Sequence, residues 1–325
     1  SSPHVTSTQV AVVGVQTVDV AGQALGGRTL ALDIGGTKIA AAWVGPAGQV
    51  SNRAEIATPS GDAEVLWSAT RDLLTTRLDG ESPTGVGVGC GGPLRLDTGE
   101  VSPINIHGWR DFPLLARVRD LFPAARVRLH NDAVAMAAGE AWLGAGRGIG
   151  SFLGVVVSTG VGGGLMLGGR TLDGGTGNAG HIGHVVVDPS GPPCGCGGVG
   201  CLEAIARGPA VVQYALDTGW QPEGKADGRA LVAAAQAGDG VAVAAIDRAG
   251  RALGVALASA AALLELDRVV VGGGFAHGAG ELLLGPARTA FARHAGMDYV
   301  RRCELVPAGL AVDAGLIGAA ALVRW

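Results

Sequence analysis

Residues 29–50 read TLALDIGGTKIAAAWVGPAGQV and predict two strands that pair around a glycine turn. An apolar strand runs into Asp33, Gly35 and Gly36 form the turn, and a second β-rich run ends at another turn over Gly45–Gly48. Because residues without side chains allow close backbone approach, the first turn could present N–H groups and a hydroxyl to phosphate oxygens.

A second turn of similar layout is predicted in STGVGGG, Ser158–Gly164, after a buried strand over 150–157. Lys38 adds a positive charge beside the first turn, but glycine hairpins are common and each turn alone is weak evidence. Neither turn has P-loop spacing, and no GxGxxG opens a helix after a strand, so Walker ATPases and Rossmann dehydrogenases are disfavoured. A third cluster, Gly272–Gly274, follows a strand and could let adenine or ribose lie against the backbone.

Four possible metal ligands lie within the loop GHIGHVVVDPSGPPCGCGGVGCLE, residues 180–203. They are His184, Cys194, Cys196 and Cys201. Three thiolates and one imidazole suit a closed tetrahedral zinc site, and the intervening glycines let the backbone fold tightly around one ion. A redox or disulfide loop is the alternative.

A predicted strand over Ala125–Leu129 brings His130, Asn131 and Asp132 to the start of a small-residue helix, AVAMAAGEAW. If the two glycine turns hold phosphates, transfer of a phosphoryl group to a hydroxyl group needs a positioned base, and Asp132 is the candidate. Asn131 or Asp132 could equally cap the helix. The local sequence leaves these two possibilities open.

The composition favours a two-domain α/β enzyme that acts on small molecules. The chain has 325 residues, 48% of them hydrophobic and 4% aromatic, with 57 glycines, so the core must consist mainly of Ala, Val and Leu. A formal net charge of -4 without a basic stripe disfavours nucleic acid and anionic lipid as partners. We expect no membrane span, and the grouped cysteines indicate a reducing cytoplasm.

Residues 1–28 lack a clear period and a positive n-region, so we expect a disordered extension and not a secretory signal. Beyond the strands, the apolar periodicity predicts a series of helices. Their expected ranges are 62–78, 209–217, 228–238, 240–266 and a terminal helix over 314–325.

Several separated motifs together are specific for one family. They are LALDIGGTKIAAAWV, SPINIHGW, HNDAVAMAAGE, STGVGGG, GHIGH, CGCGGVGCLEAIARG, VVVGGG and AGLIGAAAL. In these motifs the chain resembles the ROK family of sugar kinases and sugar-responsive repressors, within the actin-like ATPase superfamily. The resemblance runs from about Leu30 to the C-terminus.

The resemblance implies an α/β, two-lobed actin-like ATPase (ribonuclease H-like) fold with a zinc-binding loop. One lobe would comprise residues 29–131 and 312–325, and the other residues 132–311. The cleft between them would bind ATP with Mg2+ and a sugar, and would close over both. A homodimer is usual in the family.

The resemblance also implies roles for individual residues. Asp132 would be the base that deprotonates the sugar 6-hydroxyl, and His184 would contact both zinc and sugar. The implied sugar contacts are Gly92, Asn105, Asn131, His181, His184 and Glu203. The implied ATP contacts are Asp33, Gly35, Gly36, Thr37, Lys38, Ser158, Thr159, Gly160, Gly162, Gly163, Gly273 and Gly274.

One position departs from the family pattern. The usual Glu-x-Gly-His becomes His181-Ile-Gly-His184, so an acceptor carboxylate is replaced by an imidazole that can donate or accept. The same replacement, and the whole run over 179–208, resembles bacterial N-acetylmannosamine kinases. We therefore expect phosphorylation of N-acetylmannosamine.

Three alternatives remain. One is a kinase of glucose, mannose or N-acetylglucosamine. A second is a sugar-responsive DNA-binding repressor, which the single arginine before the first strand and the lack of a recognition-helix pattern disfavour. A third is an inactive sugar-binding protein, which the presence of Asp132 and of both glycine turns disfavours.

Overall fold

The computed structural model describes residues 27–78, 80–310 and 313–324. Two five-stranded sheets form its framework, and each sheet has its own hydrophobic core. All but the last two residues of the predicted extension, 1–28, lie outside the described residues, and so does the predicted lobe boundary at Val312.

Strands and helices are interspersed along the chain. The strands are β1 (Thr29–Ile34), β2 (Lys38–Val44), β3 (Val50–Ala57), β4 (Gly85–Cys90), β5 (Leu94–Arg95), β6 (Glu100–Val101), β7 (Arg126–Asn131), β8 (Phe152–Val157), β9 (Val161–Leu167), β10 (Arg170–Thr171), β11 (Arg268–Gly272) and β12 (Glu304–Pro307). The helices are α1 (Ala63–Thr75), α2 (Leu114–Leu121), α3 (Asp132–Leu143), α4 (Leu202–Ala206), α5 (Gly208–Asp217), α6 (Gly228–Gln236), α7 (Gly240–Leu264), α8 (Gly274–Ala279), α9 (Glu281–His294), α10 (Asp298–Arg301) and α11 (Ala314–Leu322).

The first sheet has the order β3-β2-β1-β4-β7. β1 and β2 are antiparallel and pair as far as Ile34 and Ile39, which confirms the predicted hairpin. β4 and β7 run parallel to β1, so the ends of all three strands lie at one edge. Cys90 pairs there with Ile34 on one side and with Asn131 on the other. The fold therefore brings Asp33 and Asp132 to the same edge of the sheet.

The second sheet has the order β10-β9-β8-β11-β12, and β8 and β9 form its hairpin. The predicted turn over Ser158–Gly164 is too long, because Val161 already pairs with Val157 and continues the ladder. Close packing explains why glycines follow the turn. A methyl group added to Gly163 would lie 2.5 Å from the Gly180 carbonyl oxygen, and one on Gly164 would lie 2.5 Å from the Val134 Cα.

Helices α3 and α11 cross between the two sheets. A methyl group on Gly139 would lie 3.0 Å from the Gly318 Cα, so small residues let the two helices touch. α3 packs on the second sheet through Ala137, beside Phe152, and on α11 through Ala138. Helix α3 therefore contacts both halves of the molecule, and its packing does not assign it to one lobe. The predicted lobe division at 131/132 stays a prediction.

Most predicted elements are present with shifted ends. α1 begins one residue after Asp62, whose side chain caps it, and ends at Thr75, earlier than predicted. β7 extends to Asn131, beyond the predicted strand end at Leu129. α7 ends at Leu264 because Glu265 adopts a left-handed conformation, with φ of 50°. In the described part of the chain no single helix could span a membrane, although the bent pair α6 and α7 meets that test by length and composition alone.

Candidate active site

The first glycine turn connects β1 to β2 and opens toward solvent. The Gly35 N–H donates to the Lys38 carbonyl at 2.9 Å, and Thr58 Oγ1 donates to the Gly35 carbonyl at 2.7 Å. Gly36, Thr37 and Lys38 are exposed. The Lys38 ammonium forms an ion pair with Glu55 at 3.2 Å. These hydrogen bonds hold the turn on its inner side, while Gly36, Thr37 and Lys38 stay accessible.

Gly36 also contacts the segment that was predicted to bind sugar. A methyl group on Gly36 would lie 2.5 Å from the Asn105 Cβ, so only glycine fits this approach. Asn105 is exposed. The predicted phosphate turn and one predicted sugar contact are therefore direct neighbours.

The second turn, Ser158–Gly160, is held by β8, α5 and β11. The Ser158 N–H donates to the Gly160 carbonyl, and the Ser158 carbonyl accepts the Gly208 N–H, both at 2.8 Å. Gly273, at φ of 97°, approaches so closely that a methyl group would lie 2.5 Å from the Val157 carbonyl oxygen. The third glycine cluster therefore lies directly beside the second turn, and its contact with adenosine stays a prediction.

A cavity of about 900 Å³ opens beside the second turn. Its walls come from helices α5, α6 and α8, of which only the first residue of α8, Gly274, was among the predicted ATP contacts. Residues lining it include Thr159, Pro209, Val212, Gln213, Arg229 and Phe275. The apolar side chains and glycines provide flat surfaces for a nucleobase, and the polar side chains provide hydrogen-bonding groups. Three predicted ATP contacts, Ser158, Thr159 and Gly274, also line this cavity. A further sequence signal is the pair of glycines that bring the Phe275 ring close, Gly208 and Gly228.

Two carboxylates face the cleft from the edge of the first sheet. Burial, followed by repulsion from Asp132, raises the pKa of Asp33 to about 6. Asp132 is accessible from the cleft, yet surrounding protein raises its pKa, partly offset by the Ala133 N–H that donates to its Oδ1 at 2.8 Å. Asn131 Oδ1 accepts the same N–H at 2.9 Å and is the helix cap. Capping of α3 therefore does not depend on Asp132.

The predicted sugar contacts Gly92, Asn131 and His181 meet at one point. A methyl group on Gly92 would lie 2.9 Å from Asn131 Nδ2 and 3.6 Å from His181 Nε2. His181 Nε2 is buried and has no hydrogen-bond partner in the structure. Burial, followed by repulsion from His184, lowers the pKa of His181. A neutral imidazole with an unsatisfied nitrogen is a strong sign that a ligand group belongs there.

Glu203 and His184 complete this side of the cleft. Glu203 Oε2 accepts the Val161 N–H at 2.8 Å, directly after the second turn. The His184 ring stacks on the His181 ring with centroids 5.8 Å apart. Every predicted sugar contact thus lies beside another predicted site residue. In contrast, Gly162 and Gly163 lie within β9 and pack against Ala133 and Gly180. The structure thus explains these two glycines by close packing, and their contacts with ATP stay predictions.

The four predicted metal ligands, His184, Cys194, Cys196 and Cys201, form one cluster. Their ligand atoms all lie within 4.8 Å of one another, with Cys196 Sγ 3.7 Å from Cys201 Sγ and His184 Nδ1 3.9 Å from Cys194 Sγ. Tetrahedral zinc with Zn–S bonds of about 2.3 Å separates two sulfurs by about 3.8 Å. The donor set and spacing therefore fit a tetrahedral metal ion, with Nδ1 as the metal-facing nitrogen of His184.

Residues 29–325 match the ROK family. The chain belongs to this family. A glucokinase from Halalkalibacterium halodurans is 36% identical over 314 residues, covering 90% of this chain and 94% of that protein. An N-acetylmannosamine kinase from Yersinia pseudotuberculosis is 37% identical over 302 residues, covering 92% and 99%. The expected family is thereby confirmed.

The fold agrees with this membership. The crystal structure of a ROK family glucokinase from Streptomyces griseus in complex with glucose and AMPPNP superimposes with a TM-score of 0.79. It is 35% identical and the match covers 92% of this chain and 99% of that one. The predicted two-lobed actin-like α/β fold is therefore confirmed.

Proposed function

We propose that this protein is a sugar kinase that transfers the γ-phosphoryl group of ATP to the 6-hydroxyl of an N-acetylhexosamine, with N-acetylmannosamine as its main substrate. One observation supports the substrate class above all: His181 Nε2 is buried, unpartnered and directed at the junction of Gly92 and Asn131. Both glycine turns and both carboxylates border the same cleft.

Asp132 is the general base of the proposed reaction. The sugar oxygen attacks the γ-phosphorus, its proton passes to the Asp132 carboxylate, and the bond to the β-phosphate oxygen breaks to release ADP. The raised pKa makes this carboxylate a better proton acceptor. Since Asn131 Oδ1 also accepts the Ala133 N–H that Asp132 Oδ1 accepts, Asp132 can take up a proton without leaving α3 uncapped. Closure of the cleft would exclude water.

The backbone N–H groups of the two turns would hold the phosphates, and the cavity of about 900 Å³ would hold adenosine. Asp33 would hold the Mg2+ of the nucleotide, because it lines a cavity together with Lys38 and the Gly272–Gly274 cluster. When bound, Mg2+ supplies positive charge beside the phosphates. The glucokinase bound to AMPPNP supports ATP as the donor.

The sugar identity depends on His181. An N-acetyl group offers a carbonyl acceptor and an N–H donor, and either can satisfy a neutral imidazole nitrogen. The alternative is a glucokinase, which the 36% identical glucokinase relative supports to the same degree as the N-acetylmannosamine kinase relative does at 37%. A regulator without kinase activity would not need Asp132 or the two turns.

Zinc is part of the proposal as a structural ion held by His184, Cys194, Cys196 and Cys201. With Nδ1 on the metal, His184 keeps its Nε2–H for a sugar hydroxyl. The ion would fix the sugar-side wall and would not activate water. A cytoplasmic location suits a protein that needs ATP and reduced thiols, and a homodimer, testable by light scattering, is also part of the proposal.

An ADP-release assay over a panel of sugars tests the function. N-acetylmannosamine is expected to give the highest kcat/KM, followed by other N-acetylhexosamines and then glucose. Asp132→Asn is expected to lower kcat by at least about a hundredfold while retaining sugar binding in calorimetry. A higher kcat/KM for glucose would overturn the substrate assignment, and near-normal turnover by the variant would remove Asp132 from the mechanism.

A further inference from the structure

His130 is held by two hydrogen bonds that fix its tautomer. Its Nδ1 accepts the Asn131 backbone N–H at 2.8 Å, and its Nε2 lies 3.0 Å from Asp173 Oδ1. Because Nδ1 is the acceptor, the neutral ring carries its proton on Nε2 and donates it to the carboxylate. This hydrogen bond lowers the pKa of Asp173. His130 lies near the end of β7 in the first sheet, two residues before Asp132, whereas Asp173 follows β10 of the second sheet, so the pair joins the two sheets.

Asp173 also begins a loop over residues 173–181, here termed the clasp loop. The Leu96 N–H donates to the Thr176 carbonyl at 3.1 Å, and Asn178 Nδ2 donates to the Leu94 carbonyl at 2.9 Å. Leu94 belongs to the β5–β6 hairpin, which follows Gly92 directly along the chain. Three residues of the loop, Asp173, Thr176 and Asn178, therefore hydrogen-bond to the first half of the molecule, and the loop ends at His181.

We infer that the His130–Asp173 pair positions the sugar side of the cleft. It holds the clasp loop across the two sheets and thereby keeps His181 and Asn131 on either side of Gly92. The inference rests on the proposed sugar-kinase function, because it names the residues that hold the sugar-binding half of the same site. Both members act through their neighbours, so they are positioning residues.

The exposure of the His130–Asp173 pair indicates that it positions the clasp loop more than it stabilises the whole fold. His130 is buried, but the Asp173 side chain is 46% exposed, and a hydrogen bond to a half-exposed carboxylate contributes only modestly to global stability. Loss of the pair should therefore loosen the clasp loop while the two hydrophobic cores stay intact. ATP binding should be unaffected, since the second turn and the cavity lie on other elements.

Three variants test the inference. Asp173→Ala removes the acceptor of His130, and the sugar KM is expected to rise about tenfold with the ATP KM unchanged. Asp173→Asn keeps a side-chain oxygen that can accept the Nε2–H, so its sugar KM is expected to stay near that of the wild type. His130→Asn keeps an acceptor for the Asn131 N–H but is too short to reach Asp173, and it should behave like Asp173→Ala. Asp298→Ala, which removes an exposed ion pair elsewhere, is the control.

Hydrogen exchange provides a readout that does not need turnover. Amides of residues 173–181 are expected to exchange faster in Asp173→Ala and to recover in Asp173→Asn, while those of α9 stay unchanged in both. An unchanged sugar KM together with unchanged exchange in Asp173→Ala would overturn the inference, and so would equal damage from the Ala and Asn variants. If the wild type phosphorylates no sugar, the proposed function fails, and the exchange data still decide whether the pair holds the loop.

Discussion

Glu203 Oε2 accepts the backbone N–H of Val161 at 2.8 Å, so a side chain at the start of α4 supports the first residue of β9. Val161 directly follows the second turn, and a methyl group on Gly160 would lie 2.9 Å from the same oxygen. A carboxylate predicted to bind sugar is therefore structurally coupled to a turn predicted to bind phosphate. Substitutions of Glu203 should separate these two roles.

Glu203→Gln keeps an oxygen that can accept the Val161 N–H but loses the charge that strengthens hydrogen bonds from sugar hydroxyls. We expect the sugar KM to rise about tenfold and the ATP KM to stay unchanged. Glu203→Ala loses both functions, so its ATP KM should rise as well. Initial rates with each substrate varied in turn measure both constants. Identical ATP KM values in the two variants would show that the turn does not need this support.

His181→Glu restores the carboxylate that is usual in the family. Because a charged acceptor replaces a neutral imidazole beside Gly92 and Asn131, the ratio of kcat/KM for N-acetylmannosamine over glucose is expected to fall by about tenfold or more. The same sugar panel measures this ratio. His181→Gln, which keeps a neutral group that can donate and accept, is the matched control and should retain the wild-type preference. If the Glu variant keeps the wild-type ratio of kcat/KM values, His181 does not determine the sugar preference.

The sequence allowed the hairpins to be predicted because their signals are local, whereas the local sequence left the roles of base and helix cap equally open for Asp132. An apolar run that ends at Asp33 predicts a strand, and the glycines that follow it predict a turn, so one short stretch of sequence contains both signals. The ligand spacing from His184 to Cys201 is also local, and the structure brings those atoms together. The turn after Ser158 was predicted too long because glycines that serve close packing look like glycines that serve a turn.

Contacts between distant segments could not be predicted in this way. His130 and Asp173 are 43 residues apart, and neither belongs to a motif that marks the other. The cavity beside the second turn needs α5, α6 and α8 to meet, which depends on how the small side chains of the core pack. The placement of α3 between both sheets likewise follows from Gly139 meeting Gly318, far along the chain.

Metal removal should affect the sugar and not the nucleotide. Metal analysis is expected to find about one zinc per chain, and a chelator should raise the sugar KM several-fold while ATP binding measured by calorimetry persists. Cys196→Ser should have the same effect, because Cys196 is the exposed ligand and its loss disturbs the core least. Cys303→Ser, at a buried cysteine outside the cluster, should retain the metal. Full activity of a metal-free protein would show that the ion has no role in sugar binding.

The ionised Asp33 carboxylate is expected to reduce the stability of the folded protein. Its pKa is about 6 in the folded protein and 3.8 ordinarily, so between these values the folded state binds a proton that the unfolded chain has lost. Stability from this group is therefore present below about pH 4 and is lost as the pH rises through 6, amounting to at most about 3 kcal/mol. Asp33→Asn cannot ionise and should stabilise the protein without added Mg2+.

The gain from Asp33→Asn is expected to be larger at pH 7.5 than at pH 5 by on the order of 1 kcal/mol, because more of the wild-type carboxylate is ionised at the higher pH. Urea unfolding of variant and wild type at both pH values measures it. Asp97→Asn is the control: Asp97 is exposed and its pKa is lowered by Arg95, so its replacement should bring no gain that grows with pH. An equal gain from Asp33→Asn at both pH values would mean that the carboxyl is already ionised at pH 5, and that burial and Asp132 do not raise its pKa.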